Sequence, residues 1–409
     1  MHPYAAGDRM EQNLMGSSAV SVAAETFCSA VDHMDEIFDQ FPRIDQRRWA
    51  RTYLDGLLRT TGRRTIEQVA RTCDDAQRAS NGLQQFINSS TWDWGPVREQ
   101  IARVAARTLP REAWTVVVIP VHKKGRHSVG VHRRFVPQLG RSINCQLALG
   151  LFQSAGPNST PVDWQLHLDP TWLHDEVRRR SVRIPAGHPP RTLARQIVEL
   201  VGDLRERDGE ALPVVIDLRA EADVSPLVAE LAARRLDVVV EVGPAQRVFP
   251  GLPPTSAPRR RTAAASRRST VEHLPGRPAR RPGRPAVSVL PVTLTEDDDA
   301  APVRLLEWRE PGSGRARFWL TTIARPSAPE IVALALRSID GALAALAGPD
   351  AELGMLDFEG RSYPGWHHHM TMVSLAHLRR LTGAVDCLPQ GGNRSGAAAL
   401  HLAAERECD

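Results

Sequence analysis

Apolar residues recur at three- and four-residue spacing from Asp35 onward: Phe38, Phe41 and Ile44, then Trp49, Tyr53, Leu54, Leu57 and Leu58. That period is helical. Thr65, with Gln68 three positions later, is a capping-box start for a short helix carrying Ile66, Val69 and Ala70. Beyond the polar break Cys73-Asp74-Asp75, Leu83, Phe86 and Ile87 mark a second helix. The two fit either a helix-turn-helix that reads DNA or a plain helical bundle. A further amphipathic helix is expected from Val97 to Leu109.

The period changes at Trp114. Thr115 to Val121 is β-branched throughout except Pro120, which predicts a buried strand, and it runs into the basic loop Lys123-Lys124-Gly125-Arg126. Further strands are expected at 143–152, 161–168, 213–217 and 236–242, with helices at 172–180, 191–205 and 226–235. This order predicts an α/β fold with one mixed sheet in which the first strand is central and Asp217 lies on its neighbour. From Gly243 to about Pro302 the chain is rich in Pro, Arg, Gly and Ser, and includes Pro-Gly-Arg-Pro twice. Val303–Trp308 and Ala316–Thr322 flank Pro311-Gly-Ser-Gly314 as a hairpin, and helical spacing resumes at 331–346 and after Asp357.

The expected organisation is therefore a disordered leader at 1–30 and an N-terminal helical DNA-binding domain at 31–110. The α/β domain follows in two parts, 111–242 and 326–385, interrupted by a β insertion with an Arg/Pro-rich loop at 243–325 and ending in a tail at 386–409.

Composition adds little until charge is mapped. The chain is 42% hydrophobic and 24% charged, ordinary for a folded soluble protein. Of 52 Lys+Arg, only Lys123 and Lys124 are lysine. The formal charge is +5, yet the stretch 259–284 holds nine arginines against the single acid Glu272, so the remainder is mildly acidic. That asymmetry points to a polyanion, double-stranded DNA first and an anionic membrane second, or to a solvated linker. Five scattered cysteines without a C-x-x-C pair, no long apolar run and no signal-peptide order predict a cytoplasmic protein without a membrane span.

Single chemical signals are weak. Asp217 at a strand end suits a metal ligand or a turn cap. His367, His368 and His369 are adjacent and point in different directions, so they cannot share one ion. No P-loop, G-x-S-x-G elbow or H-E-x-x-H occurs.

Six ordered motifs carry a family resemblance: Asn88-Ser-Ser-Thr-Trp-Asp-Trp94, Lys123-Lys-Gly-Arg-His-Ser-Val-Gly-Val131, Asn144-Cys-Gln-Leu147, Pro161-Val-Asp-Trp164, Pro213-Val-Val-Ile-Asp217 and Glu359-Gly-Arg-Ser-Tyr-Pro-Gly-Trp-His-His-His369. Together, across roughly residues 31–380, they resemble bacterial insertion-sequence transposases of the DDE superfamily, in the insertion-sequence 701 group. The resemblance implies a ribonuclease-H-like mixed sheet with helices on both faces. It implies three carboxylates holding divalent ions, Mg²⁺ or Mn²⁺, for attack on a DNA phosphodiester. Asp217 matches the second carboxylate and Glu359 the third, as catalytic and metal-binding residues. The first is missing: where the family usually has Asp-Asp-Thr-Gly-Phe-Pro-Lys-Lys-Gly, this chain has Val117-Val-Ile-Pro-Val-His-Lys-Lys-Gly125, with Val118 in the aspartate's place. Leu218-Arg-Ala-Glu221 also replaces the small turn usual after the second carboxylate.

The resemblance thus implies either a degenerate transposase that binds DNA with impaired or absent cleavage and strand transfer, or an active one with an altered metal site. The DNA-binding residues expected on this basis are Lys123, Lys124, Arg126, Arg133, Arg134 and Arg361, with Arg259, Arg260, Arg261, Arg277, Arg280, Arg281 and Arg284 of the insertion. A homodimer is a further expected partner.

Overall fold

The computed structural model describes residues 33–156, 158–202, 204, 211–250, 268–274, 287–294, 303–347 and 353–385. Its framework is one sheet: β1 (Ala113–His122), β2 (His132–Val136), β3 (Arg141–Ala155), β4 (Asn158–His167), β5 (Val214–Leu218), β6 (Val238–Val242), β7 (Arg247–Pro250), β8 (Ser269–Thr270), β9 (Ser288–Thr293), β10 (Val303–Arg309) and β11 (Ala316–Thr321). The order is β2-β3-β1-β5-β6-β11-β10-β9-β7-β8, with β4 also on β3.

Five of these strands form the ribonuclease-H-like core, β4-β3-β1-β5-β6. β3 is antiparallel to β1 and β4, whereas β1, β5 and β6 run parallel. β3 is long enough for two partners on its outer edge. Its first residues pair with β2 and its later ones with β4. Within the β4-paired part, Gly150 stands where a Cβ would lie 2.7 Å from the rings of Phe152 and Trp164.

Strand alternation sends side chains to two helical layers. Ala113, Val215, Val239 and Trp319 meet Ile331, Ala335 and Ile339 of the helix Ala328–Ala347 on one face. Trp114, Val116, Val214 and Ile216 join the larger core on the other, with Val201 of the helix Leu193–Gly202 and Leu227 and Val228 of the helix Ser225–Ala233.

The N-terminal helices include residues 33–38, Ile44–Arg59, Ile66–Ala70, Ala76–Asn88 and Trp94–Thr108. Thr65 and Asp75 cap the two short-spaced helices by accepting from Gln68 and Arg78 backbone N–H groups. Their apolar faces share the large core with the C-terminal helix Tyr363–Val385, which is buried continuously from Gly365 to Leu378. The helical region and the α/β region are thereby joined by a common core.

Three local expectations change. The single helix expected at 172–180 is two, Pro170–His174 and Glu176–Ser181, because Asp175 interrupts it and caps the second through Arg178 N–H. The edge strand β2 has no apolar alternation to announce it; its exposed positions are Arg133 and Phe135. The hairpin β10–β11 forms as expected, but β11 pairs with β6, so the insertion's strands extend the main sheet.

Candidate functional site

The parallel register sets Val117 opposite Asp217 and Asp217 opposite Glu241, a row across β1, β5 and β6. Paired residues in neighbouring strands face the same side, so Val117 shares Asp217's face and Val118 points to the other. In the register the residue beside Asp217 is Val117.

Arginine fills the space around these acids. Arg219 binds Asp217 with both ends of its fork, Nε to Oδ1 at 2.9 Å and Nη2 to Oδ2 at 2.6 Å, and its backbone N–H also donates to Oδ1. Glu241 has no solvent exposure and takes a second fork from Arg317 at 2.7 and 2.8 Å. Arg219 Nε lies 3.6 Å from Glu241, and Arg317 Nη1 lies 3.8 Å from Asp340. Such bidentate pairs fix geometry as well as charge. Burial lowers Arg219, but the Asp217 hydrogen bond and charge outweigh it and the net shift is upward. Burial pushes the Glu241 and Asp340 carboxyls up, with the arginines working against it.

Glu359 lies elsewhere. It sits in the loop before the C-terminal helix, 58% exposed and paired with Arg63 at 3.1 Å. That loop is held by Lys123, whose Nζ donates to Phe358 O at 2.6 Å, and by Val129 N–H donating to Arg361 O. Lys123 is six residues past Val117, roughly 20 Å along an extended strand. Burial draws its amine down to about 8. Asp217 is thus engaged by Arg219 and Glu359 by Arg63. Among the described residues no group of three or more His, Cys, Asp and Glu side chains comes together to hold a metal ion. The Mg²⁺ or Mn²⁺ pair implied by the resemblance does not fit here, because Val117 offers no ligand and Arg219 occupies both oxygens of Asp217.

The remaining motif residues meet in a buried knot. His368 bridges Ile87 O and Trp92 O and stacks on Trp92 at 3.9 Å. His369 bonds Tyr53 Oη and Gly354 O, while His367 stacks on Trp94 at 4.5 Å. Each histidine has its own partners, as the geometry of adjacent helix positions requires. Burial lowers all three, His368 and His369 to about 4. Arg98 ties the knot to the sheet: it donates to Thr371 Oγ1, Asp163 Oδ1, Trp164 O and His367 O at 2.7–3.0 Å. Gly360 and Gly365 let the motif loop close over Asn88, whose Oδ1 would lie 2.4 and 2.7 Å from a Cβ at each.

The basic residues divide. Lys124, Arg126, Arg133 and Arg361 are exposed around the loop after β1, with Arg134 half-buried. Arg259, Arg260, Arg261, Arg277, Arg280, Arg281 and Arg284 lie outside the described residues. The sequence reading missed a second group beside the loop. Arg178 donates to Arg126 O and covers the Trp172 ring at 3.6 Å, and Arg183 donates to Ser362 Oγ. The run Arg178-Arg179-Arg180 was the available signal. On the helix Ala76–Asn88, Gln77, Arg78, Asn81 and Gln84 are exposed opposite the buried Ala79, Leu83, Phe86 and Ile87.

No curated protein matches the chain. A solved structure of the piggyBac transposase synaptic complex with hairpin DNA is similar at 12% identity and a TM-score of 0.36, over 83% of this chain and 73% of that one. A family model for DDE superfamily endonucleases matches residues 36–312, more than half of the chain, and the chain belongs to that family.

Proposed function

We propose that this chain is a transposase of the bacterial insertion-sequence 701 group that has kept DNA binding and lost metal-dependent cleavage. The observation that carries the reading is at Asp217: its neighbour in register is Val117, and both its oxygens are taken by Arg219. A metal at Asp217 would have to share its oxygens with, or displace, the Arg219 guanidinium, and the row offers no first carboxylate. Each ~1.4 kcal/mol of lost transition-state stabilisation is tenfold in rate, so losing a metal clamp worth several kcal/mol costs on the order of a thousandfold.

Double-stranded DNA is the partner this reading requires, met by the exposed Lys124, Arg126, Arg133 and Arg361 and by the amide-rich face of the helix Ala76–Asn88. Asn and Gln side chains suit adenine edges, while arginines suit phosphate and guanine. A cytoplasmic homodimer completes the reading; among the described residues no helix is long and apolar enough to cross a membrane.

A second reading, an active transposase with an altered site, draws on Glu241, which shares Arg219 with Asp217, and on Asp340, which reaches Arg317. The test is a supercoiled-plasmid nicking assay with Mg²⁺ or Mn²⁺, alongside a gel-shift titration of duplex DNA. Binding without nicking is expected. Nicking that disappears in both Asp217→Ala and Glu241→Gln establishes the second reading instead.

A further inference from the structure

The helix Glu176–Ser181 buries none of its six residues, and Val177 is 81% exposed. Short helices are ordinarily held by an apolar face packed on the core, so what holds this one is informative. Asp175 caps its first turn. Its last turn closes in a Schellman arrangement, with Arg183 N–H donating to Arg180 O at 3.0 Å and Ile184 N–H to Arg179 O at 3.1 Å. The left-handed position of that motif favours glycine, and here it is Arg183, at a φ of 59°. A side chain kept on such a backbone carries a steric cost.

Two arginines tie the helix to its surroundings. Arg178 covers the buried Trp172 ring at 3.6 Å and reaches Arg126 O, in the loop after β1, at 3.4 Å. Arg183 Nη2 donates to Ser362 Oγ at 3.0 Å, beside the bond from Tyr363 N–H to Val182 O at 2.7 Å. Val129 N–H in turn donates to Arg361 O. Segments 123–131, 176–183 and 359–363 are thereby joined in one surface.

The charge of that surface is one-sided. Eight Lys and Arg stand against two acids, Glu176 and Glu359, and these are already paired with Arg180 and Arg63. The side chains of Lys124, Arg126, Arg179 and Arg361 have no carboxylate within ion-pair distance among the described residues. Arg195 and Arg337, by contrast, each face one, of Glu199 and Glu112. Cations gathered without counter-charges repel one another and raise the local potential for an anion.

We propose that the helix Glu176–Ser181 and Arg183 form a clamp on the phosphates of duplex DNA, in which Arg179, Arg180 and Arg183 contact the backbone and Arg178 positions the Arg126 loop. The clamp rests on the DNA-binding reading and extends it to a segment that reading does not use. Guanidinium forks match phosphate oxygens. Trp172 is 1% exposed beneath Arg178 and offers unpaired bases no stacking platform, which favours a duplex over a single strand.

The test is fluorescence anisotropy of a labelled duplex, and of one of its strands alone, titrated with the full chain across a salt series. Each phosphate contact adds about 0.9 to the slope of log K against log salt, so Arg179→Ala with Arg180→Ala should flatten the duplex slope by about 2 units. The melting temperature should not change, because the helix buries nothing. Arg183→Gly should flatten the slope by about 1 unit without lowering the melting temperature, since glycine accepts the left-handed backbone. A residue kept only to close the helix would show the reverse, a lowered melting temperature with the slope intact, and that pattern overturns the proposal. Arg195→Ala with Arg337→Ala removes the same charge elsewhere and should leave the slope unchanged. Failure of the wild-type chain to bind the duplex overturns the DNA-binding reading and the clamp together. Duplex binding with an unchanged slope in the Arg179→Ala, Arg180→Ala variant overturns the clamp alone, as does equal flattening by the Arg195→Ala, Arg337→Ala pair or flattening confined to the single strand.

Discussion

Val117 lies directly across the parallel β1–β5 ladder from Asp217, and the side chain that closes on Asp217's oxygens is the arginine two residues further along its own strand exit. A hydrocarbon on one side and a guanidinium on the other make the aspartate a member of an ion-pair row with Glu241, Arg317 and Asp340.

Placing an acid at Val117 alone should therefore not create a metal site. Val117→Asp adds a buried carboxylate beside two others, and an uncompensated buried charge costs roughly 3–5 kcal/mol. The expected outcome is a lowered urea midpoint with no response to Mn²⁺. Adding Arg219→Ala frees the oxygens, and the double variant's melting temperature should then rise with Mn²⁺, since a ligand that binds only the native state stabilises it. Equal melting curves with and without Mn²⁺ in the double variant would count against the placement of the row.

Arg98 should be among the most costly positions to truncate. Its guanidinium is 4% exposed and joins the helix Trp94–Thr108 to β4 and the C-terminal helix. Arg98→Ala removes the buried guanidinium that bonds Asp163, Thr371 and the carbonyls of Trp164 and His367, a loss of roughly 3–5 kcal/mol. Arg98→Lys should recover little, because one ammonium cannot reproduce the planar fork. Urea denaturation of both variants measures this.

The buried histidines predict an acid-sensitive core. His368 and His369 fall to about 4 in the folded chain through burial, against an ordinary value near 6.5. Between about 6.5 and 4 the unfolded chain takes up protons that the native state refuses, so stability is full above 6.5 and falls as pH drops towards 4. The slope is about 1.4 kcal/mol per pH unit for each histidine. In a variant that still folds, His368→Gln should remove about one histidine's share of that slope, which denaturation at a series of pH values reads directly.

DNA affinity should depend steeply on salt. Each phosphate contact adds about 0.9 to the slope of log K against log salt, so Lys124→Ala, Arg126→Ala and Arg133→Ala together should flatten it by about 3 units, with an unchanged melting temperature. Replacing Arg259, Arg260, Arg261, Arg277, Arg280, Arg281 and Arg284 by alanine, if about half of them touch phosphate, should flatten it by about 3 units. Binding to a fixed duplex across a salt series separates the two surfaces. An unchanged slope in the triple variant would exclude the loop after β1 as a phosphate contact.

The sequence by itself determined the elements and their order. The β-branched run at 115–121, the short apolar strands ending at Asp217 and Val242, and the caps Thr65 and Asp75 are local signals, and local propensity is what a linear pattern records. It also recorded that no acid stands at Val117 or Val118, and that three adjacent histidines cannot share an ion. Only the tertiary structure decided which valine faces Asp217, because a register shift of one residue reverses every side chain and nothing in the strand's own sequence fixes its partner's phase. Tertiary packing also decided that Glu359 answers to Arg63, that Arg219 and Arg317 close on Asp217 and Glu241, and that the insertion's strands continue the main sheet. Those are contacts across tens to hundreds of residues or between side chains brought together by a turn. Charge pairing and burial act through space, where the spacing of letters along the chain carries no distance.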